Sequence, residues 1–572
     1  MSAALGRPEQ ARTEAEGEGT PVSAAPGRPK QARTAAGGEG TPVNTAHTMN
    51  LAQLLRQTAR LYPSLPGLIK HDGQLSWAEL DTRVDAMVAA LLKLGIGKGD
   101  RILVQSRNNQ QLFESCWIAF RLGCIWVPVN FRLSPPEVAY LGQSSRASVV
   151  VYESRFSAHV DAVRQVSSHL QHVICIDDPR PGEFSYESLV REFEVNDRHE
   201  ETVAHDDPLW FFYTSGTTGK PKAGVLTHGQ MAFVVTNHLA DLIPGTSHED
   251  CSIAVAPLSH GAGIHALLNV ARGAPTVLLR GERLDPEEFW AAVERHRVSN
   301  LFTVPTIVKT LVEHPAVDRY DHRSLRFVVY AGAPMYRADQ KLALGKLGKV
   351  LVQYFGLGEV TGCITVLPPS MHSLDDHDPH APVGTCGRPR TGMEVAILDP
   401  QLRPVPVGEV GEICCRGPAV FHGYGDNSMA TAKALRGGWF HTGDLGRVDA
   451  RGLLYITGRE SDMYISGGSN VYPREVEEVL LSHPAVAEVA VLGVPDPKWG
   501  EAGIAVVVRR AGTDADQAAL LSHLDGRCAR YRWPRQIFFW DALPKSGYGK
   551  VAKKDIRELL LARGDVSALE VS

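Results

Sequence analysis

From residue 49 onward the chain alternates two hydrophobic patterns. Segments 51–62 and 76–94 carry apolar residues three and four apart, the spacing that gathers them on one helical face, whereas 101–105, 125–129 and 148–152 are short apolar runs that read as buried strands. Helices alternating with buried strands predict a mostly parallel sheet with helices on its faces. A second cycle of the same kind runs from Leu209 through Phe302 to 327–330. After Gly392 the pattern shortens to 394–398, 411–416 and 453–457, separated by Gly- and Pro-rich turns, which predicts a distorted β-barrel. Beyond Arg459 a helix at 473–482, strands at 486–494 and 503–509 and a helix at 516–524 predict a separate lobe. The fold class is therefore α/β: a large N-terminal domain (47–460) of parallel-type sheets, helices and a distorted β-barrel, then a small α+β C-terminal lobe (461–572).

Residues 1–46 break this pattern. They are rich in Gly, Pro, Ala, Thr and Glu, with almost nothing apolar to offset the entropy of ordering, and are predicted to be a disordered tail. Within them GRPEQARTEAEGEGTPV (6–22) recurs 21 residues later as GRPKQARTAAGGEGTPV (27–43). Two copies without an apolar face cannot stack, and the acidic residues and missing apolar stretch fit neither a transit nor a signal peptide.

Composition narrows the function classes. With 59 Lys+Arg against 64 Asp+Glu the net charge is −5, so there is no basic field for nucleic acid. Nine cysteines without a CxxC pair, and no secretory leader, point to free thiols and a cytoplasmic protein. Segment 251–271 has no charged residue and is about long enough to span a bilayer, but Pro257, His260, Gly261, Gly263 and His265 interrupt it. A buried strand–loop–helix passage is expected there, with no membrane span.

The most informative segment is WFFYTSGTTGKPKAGVLTH (210–228). An apolar strand delivers Thr214, Ser215, Gly216, Thr217, Thr218 and Gly219, whose hydroxyls and unhindered backbone N–H groups suit a phosphate, and Lys220 and Lys222 follow. GxxxxGK[ST] is absent, so this is not a Walker A loop.

Seven further motifs follow in order: PLSH (257–260), YAGAPM (330–335), QYFGLGE (353–359), GWFHTGD (438–444), Gly458-Arg459, ISGGSN (465–470) and PKSGYGK (544–550). Together with the phosphate loop they identify the chain as resembling the adenylate-forming superfamily, of the AMP-forming acyl-CoA synthetase (fatty or aryl acid:CoA ligase) type. That resemblance implies an ATP-dependent acid:CoA ligase with ATP, Mg²⁺ and coenzyme A as cofactors or co-substrates. A carboxylate attacks the α-phosphate of ATP, anion against anion, so positioning and charge neutralisation carry the chemistry.

Carried over position by position, the resemblance implies that Glu359 holds the metal, and that Thr214, Lys222 and Lys550 act with it on the reacting phosphate. Ala331, Gly332, Ala333 and Pro334 would line the adenine slot with Phe355, Gly356 and Gly358 beside it, Asp444 would take the ribose hydroxyls, and Arg459 would fix ribose and phosphate. The acyl wall would include His260, His265, Tyr330 and Gly332, and further pocket candidates are Asn237, Ala331, Phe355, Gly356 and Ile364. Ser466, Gly467 and Gly468 would flank pantetheine, and Tyr531, Trp533 and Arg535 the nucleotide end of CoA. Ser461 would be the hinge of a mobile C-terminal lobe.

Three positions depart from the pattern: Ala223 where the loop usually has Gly, Gly358 where Thr usually precedes the Glu, and Ser461 at a hinge that is commonly Asp or Lys. The pocket candidates suit a medium-chain, cyclic or aryl acid. The chain ends 22 residues after Lys550, which implies a diffusible thiol rather than an appended carrier domain. An acyl-AMP ligase loading a separate carrier and a catalytically inactive adenylate-binding module are the alternatives. The expected partners are a small carboxylic acid, ATP and CoA, with a homodimer left open.

Overall fold

A computed structural model describes residues 48–193, 198–214, 220–281, 284–333, 335–545 and 551–566. The tail predicted at 1–46 lies outside them.

Two α/β sheets share one core. The first has eight strands in the order Gly423–Tyr424, Lys222–Thr227, Pro208–Thr214, Ile125–Pro128, Arg101–Gln105, Val149–Tyr152, His172–Cys175, Phe184–Ser185. Pairing is parallel from Pro208–Thr214 outward, and Lys222–Thr227 returns antiparallel beside it. The second has nine strands, with Phe327–Tyr330 between Leu351–Phe355 and Asn300–Thr303, all three parallel.

Period-two alternation sorts the strand side chains into layers. Val104, Val151, Phe302 and Val329 face the common core, which is filled by the helices Trp77–Lys93, Gln110–Arg121, His228–Asp241 and Gly261–Arg272. Leu103, Val127 and Val150 turn the other way, under Pro135–Ser145 and Ser157–Val166. Leu301, Val328 and Tyr330 turn into a third layer under Pro286–His296 and Pro305–Glu313. Segment 251–271 forms the strand Ser252–Ala254 and the helix Gly261–Arg272, the predicted strand–loop–helix. Among the described residues no helix is long and apolar enough to cross a membrane. All nine cysteines are free, eight of them buried.

The strands predicted as a distorted barrel form a four-stranded antiparallel sheet: Glu394–Leu398, Gly411–Arg416, Phe440–Val448 and Leu454–Arg459. Two register shifts flank Asp444, one between Glu412 and Cys414 and one between Leu445 and Gly446. A fourth sheet pairs Val486–Asp496 with Gly500–Arg509 and adds the hairpin Tyr464–Ser466/Ser469–Val471 and the strand Gln536–Phe539. Pro473–Leu481 and Gln517–Leu524 cover one face of this sheet, and Lys553–Arg563 the other. Thr214, the 257–260 turn, Ala331 and Phe355–Glu359 all come at or just beyond the C-terminal ends of parallel-sheet strands, where α/β folds assemble sites.

Candidate active site

Thr214 ends its strand and Glu359 lies in the short turn Gly358–Val360. Thr214 Oγ1 donates to Glu359 Oε1 at 3.0 Å, and Tyr424 Oη donates to the same oxygen at 2.9 Å. The Phe421 amide holds the Glu359 carbonyl at 2.7 Å, so the segment leading into the strand Gly423–Tyr424 fixes the backbone as well. Lys222 pairs with Thr214 across the antiparallel register and lies over the Tyr424 ring, 5.4 Å from its centroid. Burial and the Glu359 carboxylate push the Tyr424 phenol far above its usual range, so Tyr424 is a donor at every working pH. Glu359 is buried, and among the described residues nothing donates to Oε2. A hard oxygen anchored through its neighbour fits a Mg²⁺ ligand.

The departures at 223 and 358 have structural counterparts. Ala223 lies in the strand Lys222–Thr227 opposite Tyr213, its methyl packed in the outer layer, so it crowds no turn. Gly358 faces Phe212: a Cβ there would stand 2.7 Å from that ring. Phe212 in turn meets the His260 ring edge-on at 5.2 Å.

The other positions expected at an adenylate fall on separate elements. Ala331 is buried, whereas Gly332 and Ala333 are exposed, and a Cβ on Gly332 would find nothing nearer than Val304 Cγ1 at 3.9 Å. Phe355 packs against the common core, and Gly356 abuts the backbone of Gly362, where a Cβ would fall 2.5 Å from its Cα. Asp444, buried, and Arg459, half-exposed, form a cross-strand ion pair at 2.8 Å. The bulge carrying Asp444 is braced twice. Thr442 Oγ1 accepts from the Asp444 amide at 3.0 Å, and Glu412 Oε1 accepts from the Gly443 amide at 3.1 Å. Glu412 Oε2 also accepts from His441 Nδ1 at 2.7 Å and from Arg436 at 2.9 Å. Cys414 completes a Glu–Cys–His group of metal-ligand types, but the Arg436 cation already occupies the carboxylate oxygen a metal would take.

The acyl-wall candidates separate. His260 stands at the start of the helix Gly261–Arg272, against Phe212 and 2.9 Å from Ser259 Oγ. His265 is in the core, its Nε2 2.7 Å from Asn300 Oδ1, and burial lowers it to about 4. Tyr330 is turned away. Alternation puts it in the third layer while Val329 and Ala331 face the common core, and its hydroxyl donates to Gln353 at 3.1 Å and lies 3.2 Å from His372 Nε2. Two successive residues of one strand cannot face the same pocket.

Past Arg459 the chain enters the turn Glu460–Asp462, which holds the exposed Ser461. Ser466, Gly467 and Gly468 make the hairpin turn between Tyr464–Ser466 and Ser469–Val471. Gly467 (φ 57°) and Gly468 (φ 80°) are both left-handed, and a Cβ on Gly467 would strike the Trp499 ring at 2.7 Å. Tyr531 is exposed, Trp533 packs partly into its own lobe's core, and Arg535 is ion-paired with Asp496. Lys550, Ser215, Gly216, Thr217, Thr218, Gly219 and Pro334 lie outside the described residues.

The profile of the AMP-binding enzyme family matches residues 55–425, and that of the AMP-binding enzyme C-terminal domain matches 475–550. The chain belongs to the AMP-binding enzyme family. Within it, the chain is 35% identical over 505 residues to a feruloyl-CoA synthase from Amycolatopsis sp, covering 87% of this chain and 96% of that one. It is 31% identical to an indoleacetate–CoA ligase from Aromatoleum aromaticum, covering 90% and 98%. An amide bond synthetase structure from Marinactinospora thermotolerans superposes with a TM-score of 0.79 at 29% identity, covering 89% and 99%. An anthranilate CoA ligase in complex with anthranoyl-AMP shares the fold, with a TM-score of 0.82 at 24% identity and 91% and 98% coverage. This AMP-binding enzyme is an adenylate-forming acyl-CoA synthetase with a large α/β domain and a smaller C-terminal one.

Four residues that touch the candidate positions or their supports escape sequence reading: Phe212, Tyr424, Glu412 and Trp499. Tyr424 reaches Glu359 across 65 residues and Glu412 reaches Gly443 across 31, so chain spacing carries no sign of either contact.

Proposed function

We propose that this enzyme joins a medium-chain, cyclic or aryl carboxylic acid to CoA in two steps. The carboxylate and ATP give acyl-AMP and pyrophosphate; the CoA thiol then attacks the acyl carbon, giving acyl-CoA and AMP. The observation that carries the reading is the Thr214–Glu359–Tyr424 cluster, at the residue where the strand Pro208–Thr214 ends and the chain continues into 215–219. The CoA ligases and synthases among its relatives support the acceptor.

In this reading Glu359, steadied by two hydroxyls, holds Mg²⁺, which when bound neutralises phosphate charge. Thr214 and the 215–219 loop cradle the phosphates, and Lys222 adds positive charge beside them. Asp444, oriented by Arg459, accepts hydrogen bonds from the ribose hydroxyls. Ala331, Gly332, Ala333 and Pro334 bound the adenine, with Phe355, Gly356 and Gly358 behind it. Lys550 bridges the carboxylate and the α-phosphate; one unit charge at about 4 Å contributes roughly 4 kcal/mol at an effective dielectric near 20. The C-terminal lobe turns about Ser461, withdrawing Lys550 and presenting Ser466–Gly468 to the site. Trp499 packs beside that hairpin, and Tyr531, Trp533 and Arg535 lie on the CoA side. The free cysteines fit a cytoplasmic enzyme.

The test is each half-reaction in single turnover. Lys550→Ala is expected to lose about 10²–10³-fold in pyrophosphate formation while converting supplied acyl-AMP to acyl-CoA at near the unmutated rate. Equal losses in both steps would contradict the reading. Offering a phosphopantetheinylated carrier or an amine in place of CoA separates the acceptors.

A further inference from the structure

Beside the pocket candidates Asn237 and Ile364 a guanidinium is buried with one edge unused. Arg390 has no exposed side-chain surface. Its Nε donates to Asp241 Oδ2 at 3.0 Å and its Nη2 to His238 Nδ1 at 3.3 Å. Both partners belong to the helix His228–Asp241, so the Nε–Nη2 edge is committed to that helix and Nη1 lies on the opposite edge. Nη1 is buried and, among the described residues, has no hydrogen-bond partner. A buried donor of a charged group left unpaired costs about 1–3 kcal/mol or more, so an acceptor is called for.

Arg390 lies between two of the pocket candidates. Its backbone amide donates to Ile364 O at 3.0 Å, and Asn237 donates to the carbonyl of the next residue, Thr391. Asn237 Oδ1 and Thr361 Oγ1 are likewise buried without partners. A chain of ring contacts runs from this place to the turn that carries Glu359. Phe212, against Gly358, meets His260. The adjoining Gly261 abuts Phe302, which stacks on Tyr354 at 5.8 Å, and Tyr354 meets His238 edge-on at 5.9 Å. Flat faces suit a ring. Asp241 neutralises Arg390, so the complement to Nη1 is an uncharged acceptor rather than a second carboxylate.

We infer that the acid carries an uncharged oxygen acceptor, a keto or ether group, on a ring remote from its carboxylate, and that Arg390 Nη1 donates to it. This rests on the acid-activating reading above and names the substrate class of the same site.

The experiment uses isosteric pairs that differ only in the remote oxygen: 3-(4-methoxyphenyl)propanoate against 3-(4-ethylphenyl)propanoate, and 3-(4-acetylphenyl)propanoate against 3-(4-isopropylphenyl)propanoate. Unsubstituted 3-phenylpropanoate, benzoate and octanoate complete the panel, and kcat/KM for pyrophosphate release is measured on the full chain. The oxygenated member of at least one pair is expected to win by about tenfold or more. In Arg390→Met/Asp241→Asn, which removes the donor without stranding a carboxylate, that ratio should fall to near one. Each ratio is internal to one protein, so a partly unfolded variant does not distort it. Ratios near one in the unmutated enzyme, the same ratio in the double variant, or turnover of only the unsubstituted acids would overturn the inference and leave the ligase reading standing. No pyrophosphate with any acid would overturn both.

Discussion

The ring of Phe212 occupies the space beside Gly358, where a Cβ would come within 2.7 Å of its Cδ1 and Cε1 and within 2.9 Å of Thr214 Cγ2. The threonine usual before the acidic residue therefore has no room here, and Glu359 takes its hydroxyl contacts from Thr214 and Tyr424. Gly358→Thr alone should lower the melting temperature by a few degrees and adenylation by about tenfold, because overpacking a filled site costs about 1–3 kcal/mol. Adding Phe212→Leu should recover most of both. Melting curves and pyrophosphate release on the single and double variants decide it; a neutral Gly358→Thr would show that the two residues do not compete for space.

Tyr424→Phe removes one of the two donors on Glu359 Oε1 without opening a large cavity. Hydrogen bonds to charged groups contribute about 1.5–3 kcal/mol, so kcat/KM for Mg·ATP should fall about tenfold or more with the melting temperature little changed. An unaltered Mg²⁺ and ATP dependence would remove Tyr424 from the site.

Glu412 braces the bulge that carries Asp444. Its Oε1 holds the Gly443 amide, so Glu412→Ala should let the bulge relax and raise KM for ATP about tenfold, leaving KM for the acid near its unmutated value. Equal rises in both KM values would mean that Glu412 is only part of the scaffold.

Acid should unfold the protein through buried imidazoles. Burial lowers His228, His265 and His372 each to about 4 from an ordinary 6.5. Above pH 6.5 these rings are neutral in both states. Between 6.5 and 4 the unfolded chain takes up protons that the folded chain refuses, so stability falls as pH falls through that window. Melting temperatures from pH 8 to 4.5 should be flat above about 6.5 and decline below it. A protein that gains stability on acidification through that range would contradict the burial of these side chains.

Much of the fold was legible because periodicity survives in single segments. The strands at 101–105, 327–330, 394–398 and 411–416 form as predicted, since each is a short apolar run with clear breakers. Pairing across long separations was not. The expectation of a distorted barrel became a four-stranded sheet because strand spacing does not say whether the edges meet. Tyr330 was placed with Ala331 by motif, although alternation turns them to opposite faces. Buried charge was the other blind spot. Arg121 and Arg390 look like ordinary surface residues in the sequence, yet Arg121 is enclosed by Asp81 and Asp85, and Arg390 by Asp241 and His238. Only the fold brings such partners together.

In this reading the chain activates a carboxylate through an adenylate and passes it to CoA. The direct measurement is product analysis with α-labelled ATP, Mg²⁺, CoA and an accepted acid. Label should appear in AMP, with AMP, pyrophosphate and acyl-CoA formed in equal amounts and none of them formed when the acid is withheld. Label in ADP with release of inorganic phosphate, or AMP formed at the same rate without acid, would contradict it.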